Sequence, residues 1–169
     1  MTSLLYTAAI GNNERDSHIE KQPVNTILKD TAERSERHLL PGTDLKIMYP
    51  DTDFNVTTDV NALTYLLDRI IMFAQSSSNG GQVTLKANRT DKSNRVQFIF
   101  THSGERIKRG NEETLFEYII NMDEMAERDD SSMIICRLIA LLLQCNITYN
   151  PHVDGPAKLI VSIPIQSVC

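Results

Sequence analysis

A stripe of apolar side chains in the middle of the chain predicts its clearest helix. The stripe recurs at intervals of three and four residues and consists of Val60, Leu63, Leu66, Leu67, Ile70, Ile71 and Ala74. Side chains at this spacing lie on one side of an α-helix and face a core. Thr57 or Thr58 is placed to cap the helix, with Asp59 in the first turn, where the helix dipole favours an anion. The segment 76–81, rich in serine and glycine, is expected to end it.

A second helix is predicted over residues 24–39, before Pro41 and Gly42. Its apolar side chains fit one side of the helix and are Val24, Ile27, Leu28, Ala32 and Leu39. The segment 133–143 is apolar on nearly all sides, which indicates a third helix packed beneath a sheet.

Alternation of apolar and polar side chains predicts five strands, each with one buried face. They cover residues 45–49, 83–87, 96–100, 146–150 and 158–164. In the first strand the inward positions are Leu45, Ile47 and Tyr49. The second and third strands flank a polar turn at residues 91–94, as in a β-hairpin.

The order of these elements predicts an α+β fold. Helices and antiparallel hairpins in separate runs favour a two-layer α/β sandwich, in which a mixed, mostly antiparallel sheet packs on about three helices. Residues 11–22 are polar and precede Pro23, so we expect a connector over residues 1–23 and a domain over residues 24–169. Residues 102–130 are mostly polar and predict a long loop with a short helical piece.

Charge and composition narrow the function classes. The 169 residues include 17 basic and 22 acidic side chains, and the net charge of −5 argues against a general nucleic-acid binder. Three unspaced cysteines and four scattered histidines form neither a disulfide framework nor a zinc site. The longest apolar run, 133–143, is too short to cross a bilayer, so we expect no membrane contact by this segment and a cytoplasmic location.

Read in order, residues 24–165 resemble the ATP-binding catalytic domain of sensor histidine kinases, the Bergerat fold shared with gyrase-type ATPases. The resemblance rests on the helix 59–74, the segment Leu115-Phe-Glu-Tyr118, and Ile135-Cys-Arg-Leu-Ile-Ala-Leu-Leu-Leu143 followed by a closing hairpin. It implies that the apolar residues near the start of the chain are the end of a dimerisation helix. The chain would then be a piece of a longer sensor protein.

Two nucleotide-binding motifs of that family carry different side chains in this sequence. In the family, an asparagine before an alanine of the helix motif is a magnesium ligand; here that position is Phe73, which offers a hard cation no lone pair. The family's adenine motif, Asp-x-Gly-x-Gly-Ile, corresponds to residues 102–107. His102 replaces the carboxylate that accepts the adenine amino group, Gly104 is kept, and Arg106 replaces the second glycine.

The phosphate-binding motif is replaced as well. In the family, Gly-x-Gly-Leu-Gly-Leu lets bare backbone amides approach the phosphates at a helix N-terminus. The corresponding residues, 128–133, contain no glycine, and Asp129 and Asp130 put carboxylates where a triphosphate would bind. The lid motif, Phe116-Glu117, is nearly intact. We assign no catalytic residue and no metal site, and the remnant nucleotide site consists of Phe73, His102, Gly104, Arg106 and Ser132.

Three of these features have two interpretations. His102 could still hydrogen-bond an adenine, but a surface histidine at a strand end is favoured. Asp129 and Asp130 could bind a metal, but simple helix caps are favoured. His18 and Pro23 have the spacing of the family's phosphoacceptor motif, and chance is favoured because barely a connector separates His18 from the domain.

The resemblance and the replaced groups lead to two main hypotheses. The first is a pseudokinase: a degenerate ATPase-like domain without a cofactor, with impaired or absent Mg-ATP binding, that serves as a regulatory or interaction module in two-component signal transduction. The second is an active domain that binds ATP and magnesium and phosphorylates a histidine on a partner or an upstream segment. A third is an anti-sigma-type binding module of the same fold. The expected partner is a protein, either a kinase dimer or a response regulator, and the segment can be the cytosolic part of a membrane-bound sensor.

Overall fold

The structure, a computed structural model, describes residues 19–78, 81–90, 92–103, 139, 143–150 and 156–166. Within these residues the chain forms two helices, α1 (Val24–Glu36) and α2 (Val60–Ser78). The strands are β1 (Ile19–Pro23), β2 (Asp44–Met48), β3 (Asn55–Asp59), β4 (Gln82–Thr90), β5 (Arg95–His102), β6 (Asn146–Asn150) and β7 (Ala157–Pro164).

Five strands form one sheet in the order β2-β4-β5-β7-β6, and β1 pairs with β3 separately. β2 runs parallel to β4, while the other neighbours in the large sheet are antiparallel. One face of this sheet is apolar and packs on the helices, through Val83, Leu85, Ala87, Val96, Phe98, Phe100, Leu159, Val161 and Ile163. The predicted two-layer α/β sandwich is confirmed, and each of the five predicted strands is present.

Helix α2 is the central element of the core. Every residue of the predicted apolar stripe is buried, and the helix reaches Ser78, within the segment expected to end it. The predicted cap was wrong by one or two residues: Asp59 Oδ1 accepts a hydrogen bond of 3.0 Å from the backbone N–H of Ala62. Thr57 and Thr58 belong instead to β3, because β-branched side chains suit an extended backbone.

Helix α1 ends at Glu36, earlier than the predicted Leu39, and begins without a side-chain cap of its own. Pro23 occupies the cap position, and Asp53, 28 residues after Asn25, supplies the acceptor. Its Oδ1 accepts hydrogen bonds from the backbone N–H groups of Asn25 (3.1 Å) and Phe54 (2.9 Å). The N-terminus of α1 is therefore tied to the residues that lead into β3.

The pair of β1 and β3 was not predicted. β1 falls within the expected connector and pairs antiparallel with β3, from Ile19 opposite Asp59 to Pro23 opposite Asn55. A hydrogen bond of 2.8 Å from the backbone N–H of Thr57 to the carbonyl of Ile165 joins this pair to the end of β7. The domain boundary at residue 24 stays a prediction.

Tyr49 was expected to face inward, but β2 ends at Met48 and Tyr49 is 50% exposed.

Of the predicted helix 133–143, Ile139 and Leu143 lie within the described residues. Both are buried, and the N–H of Leu143 donates to the carbonyl of Ile139 at 2.9 Å, the four-residue spacing of an α-helical bond. The predicted loop lies outside the described residues after Ser103. Neither α1 nor α2 is both long and apolar enough to span a membrane.

Candidate functional site

His102 is the last residue of β5 and points into the core. Val96, Phe98 and Phe100 alternate along this strand on the buried face, and His102 continues the same alternation. Its side chain is 2% exposed, so the favoured prediction of a surface histidine was wrong. The two-residue period would have indicated burial, but the polarity of histidine at a strand end argued the other way.

Phe73, on α2, lies against His102. The two ring centroids are 6.3 Å apart and the ring planes are inclined at 84°, an edge-to-face arrangement. Phe73 is 4% exposed. The structure therefore brings together two of the five predicted site residues, one from the helix layer and one from the sheet. Gly104, Arg106 and Ser132 lie outside the described residues.

The imidazole of His102 has no hydrogen-bond partner at either nitrogen within the described part of the chain. A neutral imidazole has one donor and one acceptor, and burial without partners costs free energy. Burial also lowers the pKa of His102, because the cationic form loses more hydration than the neutral form. The contact with Phe73 is therefore one between an aromatic ring and a neutral imidazole at pH 7.

Both buried carboxylates within the described residues are engaged by the fold. Asp59 caps α2, and Asp68 binds α1: Ser35 Oγ donates to it at 2.7 Å, and Arg34 Nε lies 3.4 Å from its other oxygen. The guanidinium of Arg34 also lies over the ring of Tyr65, 5.2 Å from its centroid. In the described part of the chain, no group of three or more His, Cys, Asp or Glu side chains could hold a metal ion.

A buried amide that was not predicted from the sequence lies two residues after Phe73. Gln75 is 3% exposed, accepts a hydrogen bond of 3.0 Å from the N–H of Leu40, and donates one of 3.1 Å to the carbonyl of His38. It thereby fixes the end of α2 to the segment that follows α1. In the sequence, Gln75 is simply a polar residue directly after the apolar stripe. Its burial could be predicted only if the backbone groups that it binds were already known.

Within the described residues there is one cysteine, Cys145, which precedes β6 and is half-buried. Burial raises the pKa of this thiol to about 12, against a smaller opposing effect of the Arg95 guanidinium. Since the thiolate is the nucleophile, Cys145 is inert at neutral pH.

No protein-family model matches this sequence, and no curated protein matches it. Solved structures do match in fold. The nucleotide-free catalytic domain of histidine kinase ThkA has a TM-score of 0.72 at 15% identity, covering 88% of this chain and 97% of that one. Full-length ShkA in complex with AMPPNP has a TM-score of 0.73 at 14% identity, covering 96% of this chain and 34% of that one. ThkA in complex with the response regulator TrrA has a TM-score of 0.67 at 15% identity, covering 86% and 41%. The chain has the fold of a histidine kinase catalytic domain.

Proposed function

We propose that this chain is a degenerate histidine kinase ATPase-like domain. It keeps the sandwich fold, has impaired or absent Mg-ATP binding, and serves as a regulatory or interaction module in two-component signal transduction. The observation that carries the proposal is the buried contact between Phe73 and His102. These are the positions at which the resemblance expects a magnesium ligand and an adenine acceptor.

The chemistry of the two side chains supports the loss of nucleotide binding. A magnesium ion takes oxygen ligands in a nearly ideal octahedron, and Phe73 supplies none. The family's ionised aspartate is purely a hydrogen-bond acceptor, whereas neutral His102 has only one acceptor nitrogen and packs its ring against Phe73. An adenine would have to replace that aromatic contact.

The sequence of the phosphate-binding segment supports the same proposal. Asp129 and Asp130 stand in a motif that normally offers backbone amides to a polyanion. Two like charges 4 Å apart repel by about 4 kcal/mol at an effective dielectric constant of 20. A triphosphate without a bound cation would meet this repulsion at full strength.

The alternative function is an active kinase domain that phosphorylates a histidine on a partner or an upstream segment. One observation favours it: both nitrogens of His102 lack partners in the described residues and are chemically able to bond a purine. In addition, ShkA, which has the same fold, was solved with AMPPNP.

The proposed location is cytoplasmic, and the proposed partner is a protein such as a response regulator, the class with which ThkA was solved.

Titration calorimetry with ATP, with and without magnesium, separates the two functions. We expect no heat of binding at millimolar ATP. A micromolar affinity that depends on magnesium would contradict the pseudokinase and support the kinase.

The imidazole resonances of the histidines localise any binding that does occur. The exposed His38 serves as the internal control for the buried His102, and His102→Gln assigns the His102 signal. ATP binding at the remnant site would move the His102 signal and leave that of His38 unchanged. A partner recovered in pull-down without phosphotransfer would support the interaction module.

A further inference from the structure

The outer face of the five-stranded sheet, which lies away from α1 and α2, carries a cluster of cations. Lys46 on β2, Lys86 on β4 and Lys158 on β7 alternate with the inward-facing side chains of their strands and so share this face. In the register of the sheet, Lys46 lies opposite Thr84, Thr84 lies opposite Thr101, and Thr101 lies opposite Lys158. Because neighbouring strands are about 4.8 Å apart, the three lysines lie within roughly 15 Å of one another.

Within the described residues, no carboxylate neutralises these three lysines. None of the three ammonium groups has a hydrogen bond or an ion pair within the part of the chain that the structure describes. On the same face, the described residues include one carboxylate, Asp44, at the start of β2, where it accepts a hydrogen bond of 3.0 Å from Gln82. The whole chain has a net charge of −5, whereas the described residues of this face include three lysines and one carboxylate.

The centre of the outer face is apolar. Ile99 on β5 lies directly opposite Ile160 on the neighbouring strand β7. On the other neighbouring strand, β4, Lys86 lies directly opposite Ile99. Ile99 is 9% exposed and Ile160 is half-buried, while Met48, next to Lys86, is 46% exposed. Lysine stems can cover apolar surface while their ammonium groups stay in water. Because Ile99 is itself buried, the apolar area open to a partner is that of Ile160 and Met48, next to the lysines.

We propose that the outer face docks an acidic surface of a partner protein. The proposal rests on the interaction-module function and gives that function a surface and a partner chemistry. Charge complementarity selects the acidic partner and accelerates its encounter. A protein fits better than a nucleic acid, because three lysines neutralise few phosphates and the centre of the face is apolar.

The test is a titration of the full chain, isotopically labelled for amide resonances, with two helical peptides of equal length. One peptide has a leucine stripe flanked by glutamates, and in the other every glutamate is replaced by glutamine. We expect the glutamate peptide to shift resonances of outer-face residues on β2, β4, β5 and β7, to bind roughly tenfold more tightly than the glutamine peptide, and to weaken with added salt.

The variant Lys46→Glu/Lys86→Glu/Lys158→Glu is expected to lose that tenfold preference. Its matched control is Lys21→Glu/Lys29→Glu/Lys92→Glu, which changes the net charge equally at exposed positions elsewhere and is expected to keep it. Circular dichroism checks that both variants fold.

Three results would overturn the proposal: equal affinity of the two variants, shifts confined to other surfaces, or a single-stranded DNA of matched charge that perturbs the outer face more strongly than the glutamate peptide. The titration requires no nucleotide. If calorimetry shows that the chain binds ATP, the proposed function fails but the docking surface is still tested by the peptides, so the two failures are distinguished.

Discussion

The stability of this protein is expected to fall in mild acid because of one residue. His102 is buried with both ring nitrogens unpartnered in the described residues, and its pKa is lowered by desolvation. In the unfolded chain the same imidazole titrates near pH 6.5. Between these two pKa values the unfolded state binds more protons than the folded state, so the free energy of unfolding rises with pH. The stability is fully present above about pH 6.5 and is lost as the pH falls below it.

The upper limit of the effect follows from the ordinary pKa of the imidazole in the unfolded chain. If the folded state stays unprotonated at pH 5.5, protonation of the unfolded state alone lowers the free energy of unfolding by about 1.4 kcal/mol relative to pH 7.5. For a chain of this size the loss corresponds to roughly 3 to 6 °C in Tm.

Urea unfolding followed by far-ultraviolet circular dichroism at pH 7.5 and 5.5 measures this effect. The chain is compared with His102→Gln, which has a side chain of similar size that does not titrate, and with His38→Gln as the exposed control. Other titratable groups are common to all three proteins and cancel in the comparison. We expect His102→Gln to lose less free energy of unfolding on acidification than the other two, by at most about 1.4 kcal/mol. Equal losses in all three would refute the reasoning that His102 is held neutral in the core.

Three other perturbations have defined outcomes in urea unfolding or thiol chemistry. Asp59→Ala removes the cap of α2 and is expected to lower the free energy of unfolding by about 1 kcal/mol, whereas Asp59→Asn keeps an acceptor and costs less. Ser35→Ala removes a donor to the buried carboxylate of Asp68 and is expected to cost about 1.5 to 3 kcal/mol; Ser35→Thr, which keeps the hydroxyl, is its control. Cys145 is expected to resist iodoacetamide at pH 8 until urea unfolds the chain, as read by peptide mass mapping, since its pKa is about 12. Rapid alkylation of the folded chain would contradict that burial.

The elements that were predicted from the sequence are those with a strong local period. The stripe of α2 and the alternation in β4 and β5 each repeat over several residues, so local pattern and tertiary burial agree. β1 and β3 lack such a signal: Ile19–Pro23 and Asn55–Asp59 are short and largely polar, and they pair across more than 30 residues of chain. They are stabilised by pairing with each other, by the burial of Val56 in the core and by the hydrogen bond of Thr57 to Ile165.

The candidate site was predictable in part. Phe73 and His102 could be named because they replace groups that the resemblance expects, but nothing in the sequence indicates that the two rings meet. That contact depends on how α2 packs across the end of β5, which is a property of the whole core. The alternation along β5 indicates the burial of His102, whereas the prediction of a surface histidine rests on the usual exposure of polar residues at strand ends.

The ladder between β1 and β3 also has a mechanical meaning. The segment that precedes residue 19 enters the fold through β1, and Ile19 pairs with Asp59, the residue that caps the helix carrying Phe73. A pull directed along β1 loads the hydrogen bonds of the ladder together, as shear, rather than opening them one after another. The ladder thus joins the entry of β1 to the first turn of α2, and Pro23, at the other end of the same strand, joins it to the start of α1.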